Sequence, residues 1–267
     1  MIILDKKYNL LLPLKNSNLS RFGNKYDGGY VVDRSIMENC DQLITFGLGS
    51  DWSFESEYIL KNKKSKIHIY DYTVNFYEFL KPTIKYLRRF LTFRCNFKPL
   101  KTRVKFLYNF LKFINLKEVT FFKEKVIFPT TSKKEVDIKK AFSRIDNLNQ
   151  VILKIDIEGS EFELIDQINL HSKNIKMLIF EFHWLEKNED IFMKSIKSLK
   201  KNFDIIHLHG NNHCKQLLNG LPSTLEITMI NSSLRPLNIE HVKKFPIKNL
   251  DFPNNPNKED IFFSFED

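Results

Sequence analysis

The stretch Val151 to Ile165 reads VILKIDIEGSEFELI, and it decides the fold. An apolar run ends in the acidic residues Asp156 and Glu158, meets Gly159, and passes at once into a helix-like pattern. A parallel strand hands over to a helix in this way at the carboxyl edge of an open α/β sheet, where such folds place their ligands. The chain has only eight glycines, and they mark similar places. Gly23, Gly28 and Gly29 form one cluster and Gly47 and Gly49 a second. Gly159 stands in the handover, Gly210 after a late strand pattern, and Gly220 before another. Glycine serves positive φ or close approach of the backbone to a ligand. A glycine-poor chain that keeps it at strand ends reads as an enzyme.

Outward from this stretch, strand patterns fall near 43–48, 66–71, 119–123, 151–156, 176–182, 204–209 and 223–230. Helical patterns fill 53–62, 137–146, 160–168 and 187–202, the last with Ile191, Phe192, Ile196 and Leu199 at helical spacing. The alternation predicts a seven-stranded, mostly parallel sheet covered on both faces, a Rossmann-like α/β fold. The last two strands lack a helix between them and predict an antiparallel edge pair. The expected organisation is one domain: a core of 20–73 and 118–232, a helical insertion at 74–117, and an irregular segment at 233–267 rich in proline.

The net charge of +10 is concentrated in that insertion. Residues 74–117 hold eleven Lys or Arg against Glu78 alone, while the rest of the chain is balanced. The insertion reads as two amphipathic helices separated by Pro99. Phe76, Leu80, Ile84, Leu87 and Leu91 lie on one stripe, and Val104, Leu107, Tyr108, Leu111 and Ile114 on another. One reading buries both stripes on the core and leaves the lysines solvated. Others make the segment an attractor for an anionic acceptor, with Arg88 and Arg89 touching it, or a peripheral contact with an anionic membrane. No nucleic-acid-binding motif accompanies the charge. No apolar run is long enough to span a bilayer, and the N-terminus lacks the order of a signal peptide. Cys40, Cys95 and Cys214 show neither disulfide nor zinc spacing. A cytoplasmic protein, at most peripheral to the inner membrane face, is expected.

The turn Thr45-Phe46-Gly47-Leu48-Gly49-Ser50-Asp51 follows the first strand. Such a turn brings backbone close to a ligand, and the next helix offers free N–H groups to an anionic group. Asp71 ends the second strand, where an acid can accept both hydroxyl protons of an adenosine ribose. NAD and S-adenosylmethionine both suit this pair of features. The full G-x-G-x-x-G spacing is absent, with Trp52 at its last position, which disfavours NAD.

Lys154, Asp156, Glu158, Gly159, Ser160 and Glu161 resemble the signature of the FkbM-type S-adenosylmethionine-dependent methyltransferases. Supporting pieces follow in order: Arg21-Phe22-Gly23, Asp27-Gly28-Gly29-Tyr30, Phe46-Gly47-Leu48-Gly49, Glu181-Phe182-His183 and His209-Gly210-Asn211-Asn212. The resemblance spans about residues 20–230 outside the insertion. Thr45 and Asp51 depart from the acid and third glycine common in class I methyltransferases. The resemblance implies S-adenosylmethionine as cofactor and methyl transfer to a hydroxyl, commonly of a sugar or related molecule.

For that reaction the strand ends supply His183, Asp156, Glu181 and Lys154 as candidate catalytic groups. His183 is the first choice of base because its reference pKa lies near neutrality, and Asp156 is the second. Lys154 and Asp156 could instead form a structural ion pair. Gly47, Gly49, Ser50, Asp51, Asp71, Tyr30 and Asp156 are the candidate cofactor contacts. Glu158, His209, Asn211, Asn212, His213, Arg88 and Arg89 are the candidate acceptor contacts. No ligand spacing demands a metal, so none is expected, although Asp156, Glu181 and a histidine could hold one. The expected acceptor is a small molecule or glycan precursor, anionic if it carries a nucleotide diphosphate. The rivals are an NAD-dependent nucleotide-sugar oxidoreductase and a non-catalytic membrane- or partner-docking protein. The skew to Lys, Asn, Ile and Phe fits an AT-rich bacterial genome and polysaccharide biosynthesis.

Overall fold

The computed structural model describes residues 2–62, 64–145, 148 and 150–266. Its centre is a sheet of seven strands: β1 (Gln42–Phe46), β2 (Lys66–Tyr70), β3 (Val119–Phe122), β4 (Val151–Ile155), β5 (Ile175–Phe182), β6 (Phe203–Gly210) and β7 (Leu225–Asn231). Every residue of β1 and β4 is buried, as apolar runs covered on both faces require. The spatial order is β6-β7-β5-β4-β1-β2-β3. Strands β1 to β5 pair in parallel, and β7 pairs antiparallel with both β5 and β6. The order reverses between β1 and β4, and such a switch point opens a crevice at the carboxyl edge.

The helices are α1 (Arg34–Asn39), α2 (Ser53–Lys61), α3 (Phe76–Leu91), α4 (Phe97–Ile114), α5 (Ile138–Phe142), α6 (Ile165–Leu170) and α7 (Leu185–Leu199). The pattern at 137–146 yields only the short α5, capped by the Asp137 carboxylate on the Lys140 N–H, and residues 146 and 147 lie outside the described residues. The pattern at 160–168 splits into a 3-10 turn, Glu161–Leu164, and α6. Pro99 stands in the first turn of α4 rather than between the helices, where its missing N–H would be unpaired anyway. The C-terminal segment is largely irregular, but Lys244–Phe245 and Phe263–Phe265 join Ile2–Leu4 in a small second sheet.

The basic segment forms two helices as expected, yet a different face is buried. Phe110 and Phe113 of α4 lie in the core, and Trp52 packs against Phe106, Phe110 and Phe113 with ring centroids 5.2, 5.5 and 6.0 Å away. Phe79 of α3 closes the cluster on Phe106 and Phe110. Much of the stripe read from the sequence faces outward instead: Ile84, Leu87, Leu91, Val104 and Tyr108 are 40 to 66% exposed, Leu80, Leu107 and Ile114 are half-buried, and Phe93 between the helices is 97% exposed. Aromatic residues on the opposite side outcompete the aliphatic stripe because each ring buries more area against Trp52.

Candidate active site

The strand register assembles the site. Tyr70, Phe46, Ile155 and Phe180 stand level across β2, β1, β4 and β5. The next residue of each chain is therefore Asp71, Gly47, Asp156 and Glu181, in one row at the carboxyl edge. Glu181 is opposite Glu226 on β7, and Glu226 opposite His209 on β6, so the row runs across six strands.

The row bends around two cavities. The first, about 320 Å³, lies beyond β1, β2 and β4 and is lined by Gly47, Leu48, Gly49, Asp71, Tyr72, Thr73 and Lys125, among others. The second, about 290 Å³, lies beyond β4 to β6 and is lined by Asp27, Glu181, His183, Asn211, His213, Cys214 and Thr224. Asp156 and Glu158 belong to both. They stand where a donor in the first cavity and an acceptor in the second would meet.

The glycine turn is shaped by what it must avoid. A Cβ on Gly47 would lie 1.7 Å from the Asp156 carbonyl oxygen, so the β1 and β4 loops can only meet through glycine. A Cβ on Gly49 would meet no atom within 4 Å, which leaves open space on the cavity side of the turn. The Asp71 carboxylate holds this turn by accepting from the Leu48 and Gly49 amides at 2.8 and 3.0 Å. It also accepts from the Thr73 amide and hydroxyl and from the Val74 amide. Burial opposes its ionisation, but these bonds hold the carboxyl below its usual range. A ribose bound here would share Asp71 with the loop.

Ser50 and Asp51 do not line the cavity. Asp51 accepts from the Ser53 amide at the start of α2 and from the Asn24 side chain, tying down the 23–29 turn. Tyr30 covers no cofactor cavity either. It lies beneath the row, 4% exposed, and its hydroxyl donates to Asp156 at 3.0 Å and lies 3.2 Å from Glu181. Burial and the charges of Asp156, Glu181 and Glu226 push its pKa well up, so it remains a proton-bearing phenol. Lys154 is a layer below the cavities. Its ammonium pairs with fully buried Glu55 at 3.4 Å, not with Asp156, and lies 5.0 Å from the Tyr30 ring centroid. Glu55 also accepts from Thr45 at 3.0 Å, which gives the unusual Thr45 a place in a buried network.

His183 is the most crowded group. Its Nδ1 lies 2.9 Å from Glu161 Oε1, which also accepts from the Gly159 amide. Its Nε2 faces Glu158, Glu181 and Asp156 at 3.6, 3.8 and 3.9 Å. Burial opposes the imidazolium, yet the Glu161 hydrogen bond and the charges of Glu181 and Asp156 outweigh it and raise the pKa to about 9. At neutral pH this ring already carries its proton, so it is not a free base; the reference pKa that favoured it does not survive its neighbours. Glu181 is pushed well above the usual carboxylate range by burial and then by Asp156 and Glu226, with His183 and Asn211 opposing. Asp156, with side-chain exposure of 27%, opens to both cavities together with the more exposed Glu158. Asp156, Glu158 and His183 also meet the spacing of a metal-binding group, with donor atoms all within 4.8 Å of one another.

The acceptor candidates divide. Asn211 donates to Glu181 at 2.8 Å, and Asn211 and His213 both line the second cavity. His209 and Asn212 are buried in the attachment of the C-terminal segment. His209 lies 3.3 Å from Glu226 and 3.2 Å from Asp260, and Asn212 donates to the carbonyls of Asn255, Lys258 and Glu259. Arg88 and Arg89 are exposed in the last turn of α3 and line neither cavity. The sequence reading missed Asp27 as a lining residue and Glu161 as the partner of His183. Glu161 was in the signature, and Asp27 in the glycine cluster, but only the fold brings them here.

The strand order and this divided crevice define a class I, Rossmann-like methyltransferase fold. Residues 101–210 match the family described as "Methyltransferase FkbM domain". That match bears out the FkbM resemblance over those residues, and the protein is an S-adenosylmethionine-dependent methyltransferase. The match covers about two fifths of the chain, contains the whole 154–161 signature, and leaves Gly47 and Asp71 outside. No curated protein matches the sequence. Among solved structures, the precorrin-6y C5,15-methyltransferase of Geobacter metallireducens aligns at 13% identity and a TM-score of 0.38 over 73% of this chain and 84% of that one. The fibrillarin pre-rRNA processing protein of Methanococcus jannaschii aligns at 7% identity and 0.40 over 73% and 68%.

Proposed function

We propose that the protein methylates a hydroxyl of a sugar or glycan precursor. The observation that carries this reading is the second cavity, which no aliphatic or aromatic hydrocarbon side chain among the described residues lines. Carboxylates, an amide, imidazoles and a hydroxyl surround it, the groups that bind a neutral polyol. Its acidic wall disfavours an anionic group at this point, so any phosphate of the acceptor lies outside it.

Bound S-adenosylmethionine would supply an electrophilic sulfonium methyl for the acceptor oxygen, the C–S electron pair remaining on sulfur. Asp156 takes the hydroxyl proton: of the two carboxylates that face both cavities, it is the one the Tyr30 hydroxyl holds in place. Tyr30 holds one Asp156 oxygen from below and so fixes the direction of the other. A panel of sugars and sugar nucleotides, assayed by release of S-adenosylhomocysteine, should reveal turnover. Asp156→Asn should lower kcat by about 10²–10⁴-fold, the range for a general base, with cofactor affinity retained. Unchanged kcat would remove Asp156 from this role, and turnover only with apolar acceptors would overturn the sugar reading.

A second reading concerns location and rests on the exposed stripes of α3 and α4. Apolar residues set among eleven cations match the chemistry of an anionic bilayer surface, where each Lys or Arg contributes about 1 kcal/mol. No helix among the described residues is long and apolar enough to cross a membrane. The full chain should sediment with phosphatidylglycerol-containing vesicles and not with phosphatidylcholine alone. Leu87→Ser combined with Leu91→Ser and Phe93→Ser should release it. Equal behaviour of the two vesicle types, or of the variant and parent, would end this reading.

A further inference from the structure

His183 is 6% exposed, and its Nε2 has no hydrogen-bond partner among the described residues. It points instead into the junction of the two cavities. Glu158 Oε2, Glu181 Oε1 and Asp156 Oδ1 surround it at 3.6, 3.8 and 3.9 Å. These distances are too long for hydrogen bonds. They fit donor atoms that share one small cation at about 2.0–2.2 Å each.

The surroundings suit that use. Glu161 on Nδ1 fixes the ring and turns Nε2 toward the junction, the carboxylate–histidine arrangement found behind metal-bound imidazoles. Tyr30 orients Asp156, and Asn211 orients Glu181. The nearest buried cation, Lys154, is engaged by Glu55. Four carboxylates therefore gather around one imidazole, an excess of negative charge that a divalent cation would offset.

The geometry points to a divalent-cation site at Asp156, Glu158 and His183, with Glu181 beside it, that holds the acceptor hydroxyl at the junction of the two cavities. This departs from the expectation of no metal, and its acceptor-holding role rests on the methyltransferase reading above. Two carboxylates and one imidazole favour Mn²⁺ over the harder Mg²⁺ and Ca²⁺. A cation here would displace the proton His183 Nε2 otherwise carries, releasing it to solvent, and would polarise the acceptor oxygen and lower its affinity for its proton.

The test is titration of chelator-treated, dialysed full-length protein with MnCl₂, following free Mn²⁺ by electron paramagnetic resonance. One saturable Mn²⁺ per chain is expected. Glu158→Gln, an exposed position that folding does not need, should weaken binding at least tenfold. Glu161→Gln should weaken it by about 10–100-fold through the ring it orients. Glu163→Gln, an exposed control on the same turn, should leave it unchanged. Absence of saturable binding to the parent protein overturns the site, as does binding unaltered by both Glu158→Gln and Glu161→Gln. Calorimetry with S-adenosylmethionine on the same samples separates the two failures. Cofactor binding without Mn²⁺ binding rejects the cation site alone, and Mn²⁺ binding without cofactor binding counts against the methyltransferase reading.

Discussion

At the carboxyl edge of the sheet, Asp71, Glu181, Glu226 and His209 are all at most 7% exposed, and each has named partners. On the helical hairpin α3–α4, Leu87 and Leu91 are 43% and 66% exposed, although the sequence sets them on as regular an apolar stripe as any in the chain. The same kind of pattern thus has opposite outcomes in the two regions. In the sheet, register leaves each residue one place and one neighbour, so the position of an apolar run fixes the row of polar residues that follows it. A helix has several faces, and the face that is buried depends on what the rest of the molecule offers. Here Trp52 offers an aromatic surface, and Phe79, Phe106, Phe110 and Phe113 take it.

The sharpest way to break this comparison is to remove one ring from the buried face. Phe110→Ala should cost about 3–5 kcal/mol of stability, the usual range for a buried phenylalanine, measured by urea denaturation. At the other end of the scale, Leu91→Ser should change stability by no more than about 0.5 kcal/mol. If the two substitutions cost the same, the assignment of inner and outer faces is wrong.

Between these lies the charge network at the far end of the row. His209 has its pKa raised to about 10, since the hydrogen bonds its ring donates to Asp260 and Glu226 overcome the opposition of burial. A raised folded-state pKa gives stability that is fully present below the unfolded value of about 6.5 and is lost as pH rises toward 10. The parent protein should therefore lose its advantage over His209→Gln across that window, by as much as about 1.4 kcal/mol per pH unit. A gap between the two melting curves that stays constant with pH would show that His209 does not carry the charge.

The central strands β1, β4 and β5 were legible because a strand buried on both faces needs a nearly continuous apolar run, and the others by alternating apolar residues. Asp156, Glu158, Glu181, Asn211 and His213 were legible as strand-end residues. Their division between two cavities was not, because it depends on how the loops after β1, β4 and β5 pack together. Gly47 against the Asp156 carbonyl and Gly159 beneath the Trp184 ring are such contacts, and neither has a local signature. The state of His183 was hidden for the same reason. Its reference pKa suggested a base near neutrality, whereas Glu161, Glu181 and Asp156, brought together from the loop after β4 and from β5, keep the ring charged. Arg88 and Arg89 were placed by charge alone, and charge alone does not specify a face.

The most direct test of the account is calorimetric titration of the parent protein, Asp71→Ala and Leu91→Ser with S-adenosylmethionine and S-adenosylhomocysteine. The edge of the sheet should govern binding: the parent and Leu91→Ser bind both compounds alike, and Asp71→Ala, which loses the carboxylate that holds Leu48 and Gly49, binds neither. A folded parent protein that binds neither compound, or a folded Asp71→Ala that binds as well as the parent, would contradict it.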